Sequence, residues 1–227
     1  MENTKLIYME EMQKLEDEAR VLDVIEEEGR KIMILDQTIF YPQGGGQPYD
    51  QGVIENENGT FAVEEVRYFE GAVKHIGTGY SFQIGEQVEL KVDEARRRLH
   101  MRLHSGGHLL DMAINKLGLG WKPGKGYHYP EGPYIEYDGN LDDAEKESLQ
   151  KKIEDTANAI ISENIPTTIK FLSDQLINGK PARVVLYGDF SVPCGGTHVA
   201  NLKDIGHLSI RKMSNKKGLI RVAYQVD

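Results

Sequence analysis

The chain reads as an α+β protein in which a small N-terminal β-barrel is followed by an antiparallel sheet packed with two long helices. Three observations carry that expectation. Short alternating apolar runs fill the chain up to about residue 92, and a helical period takes over immediately after it. Two helical stripes then alternate with further β-like runs, the pattern of helices laid on one side of an antiparallel sheet. A chain of 227 residues can bury a real core, and the change of period places two domains at 1–92 and 93–227.

Before the change, residues 21–25, 31–35, 61–66, 72–76 and 87–92 are β-like runs separated by Gly, Asn and Asp. Glu55-Asn-Glu-Asn-Gly59 is a hairpin turn by its Asn-Gly pair. Asp93 can then cap a helix over residues 96–116, whose buried stripe is Leu99, Leu103, Leu110, Ala113 and Leu117. Residues 127–129 and 134–137 suggest a hairpin around Pro130-Glu-Gly-Pro133. A second long helix begins at Leu141-Asp142-Asp143 and runs to about Glu163, with Ile153, Ala157, Ile160 and Ile161 on its inner face. Residues 167–172 and 182–187 read as strands with room for a short helix between them. Residues 206–213 and 219–226, joined by Ser214-Asn-Lys-Lys-Gly218, close the chain as a hairpin.

Composition narrows the function classes. No apolar run approaches the roughly 18 residues needed to span a membrane, and the first residues lack a signal peptide's apolar stretch, so cytoplasmic residence is the expectation. Cys194 is the only cysteine, which excludes an intrachain disulfide. The net charge of −9 argues at first against nucleic acid. Charge is uneven, however: Lys91, Arg96, Arg97, Arg98 and Arg102 cluster before two spaced histidines, either as a nucleic-acid contact or as a solvated helix face.

The chemistry-bearing residues fall in two short stretches, His104-Ser-Gly-Gly-His108 and Cys194-Gly-Gly-Thr-His198. Zn²⁺ is commonly held by four nitrogen and sulfur ligands in a tetrahedron, and two pairs of donors spaced four apart would complete such a set when folding brings them together. On a helix, His104 and His108 lie one turn apart and can grip one ion. Either half alone is weak: HxxxH is often plain surface or core, and a lone thiol is often inert. Gly195 and Gly196 would let the backbone fold tightly around an ion.

Together with Phe40-Tyr-Pro-Gln-Gly-Gly-Gly-Gln-Pro48, Asp50 and Gly52, these motifs resemble the AlaX family of alanyl-tRNA editing proteins and the editing domain of alanyl-tRNA synthetase. The resemblance spans nearly the whole chain and implies the threonyl/alanyl-tRNA synthetase editing-domain fold. It implies a zinc-dependent deacylase that hydrolyses the ester of mischarged tRNA specific for alanine, with serine or glycine removed. His104, His108, Cys194 and His198 would hold Zn²⁺, and Ser105, Thr197 and Gln47 would serve catalysis. Gly45 and Gly46, in a loop that could close over the site, would meet substrate. So would Gly106 and Gly107, whose missing side chains leave space on the helix; tight packing against the second helix explains them equally. Arg98 and Arg102 would meet the tRNA.

The chain departs from the family where a hydroxyl residue often precedes the second histidine, here Gly107, and where a glutamine is common, here Gly124; Lys125 or Tyr127 could replace the lost polar contacts. A zinc protease would carry Glu where Ser105 stands. The competing class is a non-catalytic tRNA- or RNA-binding module with a structural zinc site. An aminoacylating synthetase would need more chain than this, so editing should occur in trans. His100 shares the stripe of His104 and His108 as a substitute ligand, though surface exposure beside arginines is the simpler reading. His75, His128 and His207 stand outside the set. The sequence leaves monomer and homodimer open.

Overall fold

The computed structural model describes residues 3–27, 29–142, 144–177, 179–216 and 218–227. A short strand β1 (Lys5–Leu6) and a single helical turn α1 (Ile7–Glu10) lead into β2 (Glu16–Glu27), β3 (Arg30–Leu35), β4 (Gln37–Thr38), β5 (Gly52–Asn56), β6 (Gly59–Phe69), β7 (Ala72–Gly79) and β8 (Gln87–Val92). Six of them close a barrel in the order β2-β3-β7-β6-β5-β8, while β1 pairs in parallel with β4 beside it. Alternation decides which side chains enter: Val88, Leu90 and Val92 of β8 are buried and the residues between them are not. In β6 a register shift between Val63 and Glu65 lets Val63 and Val66 both point inward.

The second half opens with α2 (Glu94–Lys116), capped by Asp93, whose side chain accepts from the Arg96 amide at 3.0 Å. Then come β9 (Lys122–Tyr127), β10 (Tyr134–Asp138), α3 (Lys146–Ser162), β11 (Thr167–Ile177), β12 (Lys180–Tyr187), β13 (Phe190–Pro193), a 3-10 turn (Leu202–Ile205), β14 (Leu208–Lys216) and β15 (Leu219–Val226). Four strands form an antiparallel sheet in the order β14-β15-β10-β9, and β11-β12-β13 form another. Leu109, Leu110 and Ala113 of α2 share one core with Ile153, Ala157 and Ile160 of α3 and with Met213, Val222 and Tyr224 of the larger sheet. The α+β architecture with barrel, sheet and two long helices is as the sequence predicts.

Several local expectations are corrected. Leu99 is exposed, because the first turns of α2 face the barrel with Arg97 and His100 instead. Arg97 is wholly buried: Nε bonds both oxygens of Asp50, at 3.1 and 2.9 Å, and Nη1 and Nη2 bond the carbonyls of Met12 and Ile39. The second helix starts at Lys146 because the Asp142 carboxylate turns the chain by accepting from the Ala144 amide; Asp143 lies outside the described residues. Among the described residues no helix lies between 172 and 182. Strand β11 runs on to pair Leu176 with Pro181 and Ile177 with Lys180. Strand β9 starts five residues before Tyr127 despite its proline and glycines, which an edge strand tolerates. Lys217, in the last predicted turn, lies outside the described residues. Among the described residues no helix is long and apolar enough to cross a membrane.

Candidate metal centre

The fold brings the two motifs together. One donor atom each from His104, His108, Cys194 and His198 all lie within 4.8 Å of one another. Helix α2 sets His104 and His108 one turn apart, with ring centroids 5.1 Å apart. The Cys194–His198 loop follows β13 and is held by Arg183, which bonds the carbonyls of Cys194 and Gly196 from one side and that of Met9 from the other.

Each histidine is oriented through Nδ1. That of His104 lies 2.7 Å from the Gln47 Oε1, which has no proton, so this nitrogen donates and Nε2 keeps its lone pair. The Nδ1 of His198 meets the Tyr187 hydroxyl at 2.9 Å and Ser105 Oγ at 3.4 Å. His108 sets its Nδ1 3.4 Å from Asp111. The Nε2 atoms of His104 and His198 then lie 3.4 and 3.3 Å from Cys194 Sγ, and that of His108 is buried with no hydrogen-bond partner. In a zinc tetrahedron with usual bond lengths the N···S edge is about 3.5 Å. The donor set therefore fits such an ion, and the Nδ1 partners supply the outer contacts that fix ligand orientation.

Electrostatics agree with that chemistry. Burial holds His104 and His198 well below the ordinary histidine pKa, with neighbouring imidazoles adding to the effect, so both are neutral and free to ligate. Burial opposes charge on His108 as well, but Asp111 and Cys194 outweigh it and raise its pKa to about 9. Burial works against the Cys194 thiolate too, yet His108 and the Gly196 amide lower its pKa on balance.

The other predicted residues divide. Gln47 and Thr197 are both buried and joined: Gln47 Nε2 donates to Thr197 Oγ1 at 2.8 Å, and its Oε1 accepts from the Thr197 amide at 3.1 Å. Ser105 supports the loop, accepting from the Val199 amide as well as meeting His198. The glycine-rich loop is docked. The Gly46 carbonyl accepts from the His128 amide at 2.8 Å, and at φ +77° a Cβ on Gly46 would strike the Gly126 carbonyl. Gly45 lines a cavity of about 470 Å³ together with Gly44, Arg183, Cys194 and Gly195.

Gly106 and Gly107 do not open space for a ligand or for the second helix. Side chains of Tyr224 and Val226 fill the room beside Gly106, and His128 with Ile135 fills it beside Gly107. The basic cluster is not a free patch either. Arg97 is sealed against Asp50, Arg98 pairs with Glu94, Lys91 with Glu55 and Glu89, and Arg96 and Arg102 bond the carbonyls of Tyr49 and Ile205. Arg98, Arg102 and the exposed Lys125 do not line the cavity beside Cys194. His100 is buried rather than surface-exposed, with an unpartnered Nδ1, and lies outside the donor cluster.

Four residues that sequence reasoning left out belong here: Asp111, Tyr187, Arg183 and His128. His128 stacks on His104 with centroids 4.4 Å apart and bonds the Tyr224 hydroxyl at 2.8 Å. The spacing of Asp111, three residues after His108 on a helix, was a usable signal. Arg183 and Tyr187 come from β12, each eleven residues before a group it contacts, and His128 reaches His104 through long-range folding.

Comparison with known proteins places these features among relatives. Residues 2–96 match the family described as class II (A) tRNA synthetases, and residues 182–223 match the second additional domain of threonyl and alanyl tRNA synthetases. The chain is 36% identical over 218 residues to the alanyl-tRNA editing protein AlaX-M of Pyrococcus horikoshii, covering 93% of this chain and 92% of that protein.

Proposed function

The chain belongs to the AlaX family of alanyl-tRNA editing proteins, and on that premise we propose that it deacylates mischarged tRNA specific for alanine, acting in trans to protect translation fidelity. Seryl and glycyl esters are the substrates the reading assigns. The observation that carries it is the four-donor cluster, reached from the glycine-rich loop through Gln47 and set beside a cavity.

His104, His108, Cys194 and His198 would hold Zn²⁺, which when bound supplies a Lewis acid for polarising the ester carbonyl or a water. The protein's own groups do the rest. Gln47 fixes the His104 tautomer and ties the Thr197 amide to the glycine-rich loop. Ser105 and Tyr187 hold His198, and Asp111 holds His108. Ser105, Thr197 and Gln47 would thus act as positioning residues, while Gly45, which lines the cavity, would meet substrate there. The cavity volume lies within the range of ordinary ligand sites. Both proposed domains, 1–92 and 93–227, contribute, since Gln47 comes from one and the metal donors from the other.

The test compares hydrolysis of Ser-, Gly- and Ala-tRNA specific for alanine by wild type and by His104→Ala, with folding of the variant checked by circular dichroism. Turnover of the first two that collapses in a folded His104→Ala supports the enzyme. Wild type that turns over none of them supports the rival, an RNA-binding module whose zinc is structural. Metal analysis that finds no bound zinc, with activity intact after chelation, defeats the zinc assignment.

A further inference from the structure

Lys180 lines the same cavity as Cys194 and Gly45 and lies outside the four-donor cluster. It sits where the β11–β12 hairpin meets the barrel, a junction fixed by the Tyr68 hydroxyl donating to the Gly179 carbonyl at 2.6 Å. Its Nζ lies 4.7 Å from the centroid of the Tyr68 ring and 5.8 Å from that of Tyr8. Burial is the one cause that moves its pKa, downward to about 8, and no acidic neighbour counters it. None of the residues lining the cavity is Asp or Glu, in a chain of net charge −9. The other cation on the wall, Arg183, is committed to the carbonyls of Met9, Cys194 and Gly196. Among the described residues Lys180 is therefore the cavity's one uncommitted cation.

A partly desolvated ammonium without a counter-ion is costly to keep, and its two aromatic neighbours offset only part of that cost. An anion entering the cavity would complete the arrangement. Given the deacylase reading, on which this step rests, the anion nearest a tRNA's 3′-terminal ester is the phosphodiester behind the terminal nucleoside. We propose that Lys180 is a phosphate anchor, taking the backbone phosphate of the acceptor strand in this cavity while the aminoacyl ester faces Cys194 and its partner ligands.

The experiment compares two substrates that differ in phosphate: Ser-tRNA specific for alanine, and the seryl ester of adenosine, which carries none. For Lys180→Ala, KM on the tRNA should rise about tenfold or more with kcat little changed, as expected for loss of a charge-assisted hydrogen bond. The slope of log KM against log salt should fall by about one. Hydrolysis of seryl-adenosine should stay at the wild-type rate, and Lys180→Arg should recover most of the tRNA affinity. Equal losses on both substrates would mean a structural role, and no loss on either would mean no role; both overturn the proposal. Wild type that cleaves neither substrate rejects the deacylase reading itself, and the phosphate anchor with it.

Discussion

Replacing Gln47 with leucine tests how the candidate metal donors are set. The side chain is fully buried and makes three hydrogen bonds, to His104 Nδ1, to the Thr197 amide and to Thr197 Oγ1. Leucine fills similar volume but leaves two donors, the His104 Nδ1–H and the Thr197 N–H, without an acceptor. Each orphaned buried donor costs about 1–3 kcal/mol, so Gln47→Leu should lose about 2–6 kcal/mol of unfolding free energy. The histidine also loses what fixes its tautomer, so its Nε2 is no longer reserved as a lone pair. Loss of such an outer contact lowers metal affinity about 10–100-fold. Urea titration of the metal-free protein measures the first effect, and zinc competition against a chelator the second. Gln47→Glu keeps an acceptor oxygen for His104 Nδ1–H and the Thr197 amide and should bind zinc more tightly than Gln47→Leu. A Gln47→Leu protein with the wild-type urea midpoint and zinc affinity would refute the reasoning.

Arg97→Met should destabilise by about 3–5 kcal/mol in urea unfolding, since it strands the Asp50 carboxylate where neither partner reaches water. Adding Asp50→Leu should recover part of that loss, and a double variant no better than Arg97→Met would count against an ion-pair origin. His75 is buried in the barrel between Thr38 and the Met33 carbonyl, and burial lowers its pKa from 6.5 to about 4. The unfolded chain therefore binds the proton first, so its contribution is intact above pH 6.5 and falls by about 3 kcal/mol as pH drops towards 4. Urea midpoints across that range should show the decline in wild type and less of it in His75→Gln. In the metal-free protein the proton on His108, with its pKa near 9, must leave before zinc binds. Apparent zinc affinity should thus drop about tenfold per pH unit below that value, with about one proton released in calorimetry run in two buffers.

The fold was legible where one physical signal dominated. The barrel strands, α2 and α3 announce themselves because each puts a single apolar face against one core, at period two or 3.6. Failures cluster where a polar contact overrode the pattern. Leu99 matches the helical stripe, yet the helix turns Arg97 inward because Asp50, 47 residues earlier in the chain, waits there. A carboxylate at 142 makes a turn where its spacing suggested a helix start. Strand β9 holds together through pairing with β10, which its own proline and glycines oppose.

The donor set was readable from spacing, but its orientation was not, because the Nδ1 partners come from three unrelated places. Only Asp111 is local; Gln47 arrives from the barrel and Tyr187 from β12. The glycines between the histidines mislead for the same reason. They suggest an empty approach to the metal, whereas folding fills that side with His128, Ile135, Tyr224 and Val226. Access must then come from elsewhere. His104 and His198 are buried, His108 and Cys194 are half-buried, and Cys194 also lines the cavity that Gly45 and the Arg183 side chain border. A ligand entering there meets the thiolate side of the cluster first. A closed four-ligand shell is usually structural. Of the four candidate donors only Cys194 lines the cavity, so on the proposed zinc reading it is the ligand whose displacement would admit substrate while the three histidines kept the site in place.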